Sequence, residues 1–151
     1  MILNLQLACK NKKNLPTESD FYHWLTVMCV YFHPEKEITI RVVDIKEMIL
    51  LNHKFCGKDT STNVLSFPFE NIPGTTFPLL GDIIICRQVV ELESSLQYKA
   101  LTAHWAHMTI HGALHLLGYN HVSENEALIM QSIEVKSLMK LGYPDPYISE
   151  K

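Results

Sequence analysis

The chain lacks any apolar run long enough to cross a bilayer. Its longest ones are broken by Lys, Asp or His, whereas a membrane helix needs about 20 apolar residues in succession. It has no C-x-x-C pair: Cys9, Cys29, Cys56 and Cys86 are scattered singly, which removes a thiol-pair redox motif. The start, Met1 to Cys9, has neither a basic segment nor a small-residue cleavage site. It alternates apolar and polar residues, so a strand is expected there and not a signal peptide, and with it a cytoplasmic protein with reduced thiols and no membrane partner. A basic surplus is also missing, since 13 Lys and Arg face 16 Asp and Glu. The field of the whole molecule therefore cannot grip a polyanion, and a nucleic-acid ligand would need a local patch. Internal repeats, low-complexity tracts and linkers are absent too. One domain over residues 1–151 is expected.

What is present is an ordinary core-forming composition, 47% hydrophobic and 19% charged, patterned in two periods. Leu3, Leu5 and Leu7 alternate with polar residues and predict a strand over Ile2–Ala8. Phe21, Trp24, Leu25, Met28 and Phe32 recur at helical spacing and predict a helix within Leu15–Phe32. Thr17 and Asp20 stand near its start and Pro34 closes it. Ile38, Ile40 and Val42 predict an inward-facing strand over Glu37–Asp44. Asp44 with Glu47 then reads as a capping box for a short helix to Asn52. A polar, turn-rich stretch from Lys54 to Asn63 leads to a strand over Val64–Phe69, whose Pro68 suits an edge. Asn71–Pro78 reads as a long loop. The run Ile83, Ile84, Ile85 places Leu79–Cys86 in a strand buried on both faces. Helices follow over Arg87–Leu96, Lys99–Leu117 and from a Ser123/Glu126 capping box to Gly142. The middle one is apolar almost all round and should run through the core, stopping at Gly118. Strands early and helices late predict an α+β domain with a mixed sheet of about four strands and helices packed around it.

Five of the eight histidines fall between His104 and His121. On the apolar central helix, His104 and His107 read as hydrogen-bonded core residues. His111 and His115 are four apart, so their β-carbons are about 5–6 Å apart on one face. Gly118 permits the positive φ that turns the chain back and lets His121 supply a third imidazole. The spacing H-x-x-x-H-x-x-G-x-x-H is that of metzincin proteases and predicts a zincin-like site, one zinc ion at the end of the central helix. Three neutral imidazoles leave a position for water, whose pKa such a site lowers to about 7. That chemistry points to hydrolysis. Zinc proteases place a glutamate directly after the first histidine as general base; here that residue is Gly112. The residues alone thus predict a zinc hydrolase that is not a conventional peptidase, with a closed structural site, fourth ligand Cys56, as the alternative.

The segment HGALHLLGYNH (residues 111–121) resembles the signature H-G-x-L-H-L-x-G-Y-D-H of the YbeY family. LNHKFCGKDTSTNVLSFP (51–68) resembles that family's L-N-x-x-Y-R-x-K-D-x-x-T-D/N-V-L-S-F-P, LGDI (80–83) its L-G-D-I/L strand, and Gly142-Tyr143 its closing G-Y. The resemblance implies a single-strand-specific, zinc-dependent endoribonuclease. It would mature the 3′ end of small-subunit ribosomal RNA and take part in ribosome quality control, with the small subunit as partner and no DNA substrate. Carried over, His111, His115 and His121 match the metal ligands. His53, Lys54 and Lys58 become candidates for RNA contact, and Asp82 and Asn120 for orienting groups behind the metal.

Two positions depart from the pattern. Cys56 stands where the family has an arginine implied to contact RNA phosphate, and a thiol supplies neither the charge nor the forked donors. Asn120 stands where it has an aspartate that can orient a ligating imidazole. Cys56 leaves three readings open: a tolerated change with Lys54 or Lys58 covering the phosphate, a catalytically weakened protein that still binds ribosomes, or a thiol that closes the site. A metallopeptidase is the remaining rival.

Overall fold

Side-chain alternation decides which way each strand faces, and two helix layers cover the two sides. The computed structural model describes residues 1–32, 35–70 and 78–148. The described elements are, in order, β1 (Ile2–Leu7), α1 (Glu18–Thr26), β2 (Glu37–Val43), α2 (Ile45–Cys56), β3 (Val64–Pro68), β4 (Leu79–Cys86), α3 (Arg87–Leu96), α4 (Leu101–Leu116) and α5 (Glu124–Lys140). The strands form one mixed sheet in the order β1-β2-β4-β3. β2 is parallel to β1 and to β4, and β3 runs antiparallel to β4 along one edge. This is the α+β domain expected.

Ile38, Ile40, Val42, Ile83 and Ile85 point to one face, where they meet Phe21, Trp24 and Trp105 in the main core. Phe21 lies edge-on to both tryptophans, with ring centroids 5.4 and 6.1 Å apart. Such pairs add about 0.5–1.5 kcal/mol beyond the area they bury. The alternate residues Val43, Ile84 and Cys86 face the other way and pack with Met48 of α2 in a smaller cluster. β4 is thus buried on both faces over Ile83–Cys86, as its unbroken isoleucines require, while Leu79 and Asp82 are exposed.

Helix α4 runs through the core as expected. His104, Trp105, Ala106, His107, Met108, Thr109 and Ile110 are all buried in succession. Its end is set by Gly118 at φ 96°. The Tyr119 amide donates to the Leu114 carbonyl at 3.0 Å and the Gly118 amide to that of His115 at 3.1 Å, a Schellman closure that reverses the chain within two residues. Gly142 ends α5 in the same way, with Tyr143 bonded back to Leu138 at 2.9 Å.

Several boundaries and caps differ from expectation. The first helix stops at Thr26; the chain then continues in turns bonded three residues back, which still bury Met28 completely. Its start is the reciprocal box of Thr17 and Asp20, at 3.1 and 2.9 Å. Asp44 caps nothing with its side chain. Its carboxylate is taken by the Lys10 amide at 2.9 Å and by Gln88 at 2.7 Å, while Glu47 forks onto Arg41 at 2.7 and 3.0 Å. Ser123 accepts from the Glu126 amide at 3.2 Å, one half of the box. Helix α2 runs on to Cys56, past the expected end at Asn52. Pro34 and residues 71–77 of the expected loop lie outside the described residues. Among the described residues no helix is long and apolar enough to cross a membrane.

Candidate metal centre

The open end of α4 emerges beside the edge strand β3. Ser66 of β3 donates its hydroxyl to the Gly112 carbonyl at 2.9 Å, fastening the strand to the helix. Between β3, the end of α4 and α5 lies an open cleft of about 860 Å³, and His111, His115 and His121 stand in its wall.

One ring nitrogen from each of these three histidines lies within 4.8 Å of the other two. The ring centroids of His111 and His115 are 4.6 Å apart, with His121 at 5.7 and 5.1 Å. Helical spacing brings the first pair together; the Gly118 reversal brings the third. His111 Nδ1 lies 2.8 Å from Oε1 of Glu134, a carboxylate only 1% exposed. An ionised carboxylate only accepts, so the His111 proton sits on Nδ1 and its Nε2 presents a lone pair to the cleft. That Nε2 lies 3.1 Å from His115 Nε2. These nitrogens lie within hydrogen-bond distance of each other, near enough for one cation to take both, and the donor set fits zinc.

The electrostatics agree. Burial first, and then the neighbouring His111 and His121, push the His115 imidazole down to about 4, which keeps it in the neutral form a metal needs. Burial alone would push the Glu134 carboxyl up. Hydrogen bonds from His107, His111 and Tyr147 outweigh it and hold the group down at about 2. Glu134 is therefore a fixed negative charge behind a ligand-bearing ring, the arrangement that orients imidazole and raises its basicity.

The sequence reading missed Glu134. The signal was present on α5, where Met130, Glu134 and Leu138 recur every four residues and all are buried. A carboxylate inside an apolar stripe is rarely buried without partners. The two expected orienting groups are placed differently from each other. Asp82 is exposed and pairs in register with Phe67, pointing to the α2 side of the sheet, away from the histidines. Asn120 lines the cleft, but its side chain accepts from the Val122 amide at 3.4 Å.

His53, Lys54 and Cys56 occupy the last turn of α2 and Lys58 follows it; none of the four lines the cleft. His53 pairs with Asp59, and the Lys54 ammonium sits 5.2 Å over the Phe55 ring. Cys56 is exposed and is not in the histidine group. His104 and His107 are buried, 3.0 Å from Glu93 and Glu134 respectively.

Position 112 explains the absent glutamate. A β-carbon there would stand 2.7 Å from Ile83 Cγ2 and 3.3 Å from both Ser66 Oγ and Val64 Cγ2. The residue after the first histidine faces the sheet edge, so any side chain at that place must displace Ile83.

Comparison with known proteins agrees with this fold. The solution structure of TM1509 from Thermotoga maritima shares the fold at a TM-score of 0.56, with 20% identity over 91% of this chain and 91% of that one. The family model described as Endoribonuclease YbeY matches residues 6–142, which include all three histidines, the β3–β4 edge and Glu134. On that match over most of its length, the chain belongs to the YbeY endoribonuclease family.

Proposed function

We propose that residues 1–151 act as one hydrolase domain, a zinc-dependent endoribonuclease specific for single strands. Its task would be maturation of the 3′ end of small-subunit ribosomal RNA and disposal of defective ribosomes, in the cytoplasm. The observation that carries the reading is the convergence of three imidazoles on the wall of an open cleft, and family membership supports the endoribonuclease class. His111, His115 and His121 are the proposed ligands of one ion. Bound there, the ion would supply Lewis-acid charge for a phosphate oxygen and acidify a water.

The chain's own residues supply the rest. Glu134 keeps the His111 proton on Nδ1. Among the described residues the cleft lining carries no Lys or Arg, so Thr62, Asn120 and Gln131 would meet the RNA as neutral hydrogen-bonding groups. Lys54 and Lys58 are proposed as cationic contacts to the RNA backbone outside the cleft, with His53 as a further contact. With a net charge of −3, the grip on an RNA backbone would have to come from the bound ion and from these local cations.

The test is cleavage of a short labelled single-stranded RNA, together with metal analysis of the purified protein. One ion per chain is expected, with cleavage lost in chelator and restored by zinc. Cleavage indifferent to chelator, or protein that takes up no stoichiometric metal, overturns the reading.

Cys56 favours a second reading, a ribosome-binding protein with little turnover, because an exposed neutral thiol stands where the family resemblance places an arginine. On this reading Cys56→Arg raises cleavage by about 10²–10³-fold, the usual worth of one transition-state donor. An unchanged rate rejects it and leaves Lys54 or Lys58 as the phosphate contact.

A further inference from the structure

Glu134 is one carboxylate serving three donors. Oε1 lies 2.8 Å from His111 Nδ1 and 3.0 Å from His107 Nε2, and Oε2 accepts the Tyr147 hydroxyl at 2.6 Å. The group is 1% exposed, so the direction of the carboxylate depends on these contacts. A rotation about its last torsion would carry Oε1 off both imidazoles at once. The Tyr147 bond is the contact that opposes this rotation from the other oxygen.

Tyr147 comes from the segment after α5, beyond the stretch matched by the family model. Although 46% of its surface is exposed, its hydroxyl turns inward to Glu134 and its ring stands edge-on to His107 at 5.4 Å. The segment itself is fastened at several points. The Tyr147 amide donates to Asp145 Oδ1 at 2.8 Å, Lys99 Nζ donates to the Pro146 carbonyl, and Trp24 Nε1 donates to the Tyr143 hydroxyl at 3.1 Å. The tyrosine is thus held in place by the core, and the carboxylate by the tyrosine.

We propose that Tyr147 is a positioning residue of the metal centre: its hydroxyl locks Glu134 so that His111 keeps its proton on Nδ1 and presents Nε2 to the ion. The inference rests on the metal site proposed above. It makes the docking of the C-terminal segment a determinant of metal affinity, although that segment supplies no ligand. Outer partners of ligating imidazoles are worth about 10–100-fold in affinity. Removing one of the bonds that aim such a partner is expected to cost up to about tenfold.

The experiment uses the full chain with Tyr147→Phe, which deletes the hydroxyl and keeps the ring against His107. Zinc Kd is measured by competition with a chromophoric chelator, alongside the Tm of the metal-free protein and the ring-nitrogen NMR shifts of His111. The expected result is weaker zinc binding with a mixed His111 tautomer in the variant, against a single Nδ1–H tautomer in the wild type. A merely structural tyrosine would lower Tm and leave Kd and tautomer unchanged, which overturns the proposal. A wild-type His111 protonated on Nε2 overturns it without recourse to the variant. Wild-type protein that fails to bind zinc brings down the metal site and this inference together. Wild-type protein that binds zinc through the histidines, with Tyr147→Phe equal to it, brings down this inference alone.

Discussion

Replacing His115 by alanine is expected to abolish stoichiometric zinc and to lower single-strand RNA cleavage by at least about 10²–10³-fold, the cost of losing one electrostatic stabiliser. His115 is the middle of the three rings, closest to both others by centroid distance. Removing it leaves His111 and His121 5.7 Å apart, two donors where a catalytic zinc site uses three. The fold should survive, because the ring is half-buried at the cleft wall and its neighbours Leu114 and Leu116 carry the packing. A half-buried histidine held neutral also destabilises the metal-free protein in acid. Its folded pKa of about 4 lies below the unfolded value of about 6.5, so the folded state binds fewer protons between these limits and loses stability as pH falls through them. The measurement is metal content by elemental analysis, with cleavage rates at neutral pH and thermal unfolding on the same preparation. An alanine variant that keeps one ion per chain and cuts at the wild-type rate sinks the assignment of His115.

Installing the peptidase glutamate, Gly112→Glu, is expected to damage the fold and create no peptidase. The β-carbon would stand 2.7 Å from Ile83 Cγ2, a side chain that is fully buried in the core. Overpacking of this kind costs about 1–3 kcal/mol. For a chain of this size the drop in Tm should be roughly 2–12 °C. Circular dichroism melting checks the first part and a panel of fluorogenic peptides the second. A stable variant with new peptide hydrolysis would return the metallopeptidase to consideration, since position 112 would then reach the cleft after all.

These two residues mark how far local rules carry. The His111/His115 pair follows from a helical rise that is the same in any helix, and the return of His121 follows from one glycine with positive φ. Both are contained within eleven residues, so pattern alone exposes them. The strands were legible for the same reason, since Leu3, Ile38, Ile40 and Ile83 sit where a period of two puts them. Caps were less legible because they compete. Asp44 and Glu47 match a capping box in sequence, yet Gln88, Lys10 and Arg41 take those carboxylates through space.

Spacing along the chain therefore determined the elements, the histidine triad and the absence of a peptidase base. Folding in three dimensions decided the partners. β3 lies at the edge against α4, which turns Gly112 to the sheet and Asp82 to the far side. Helix α5 docks so that Glu134, 23 residues from His111, becomes its hydrogen-bond acceptor. Helix and strand periods are properties of the backbone within a few residues, whereas which carboxylate meets which imidazole depends on how separate elements pack, and no local period encodes that.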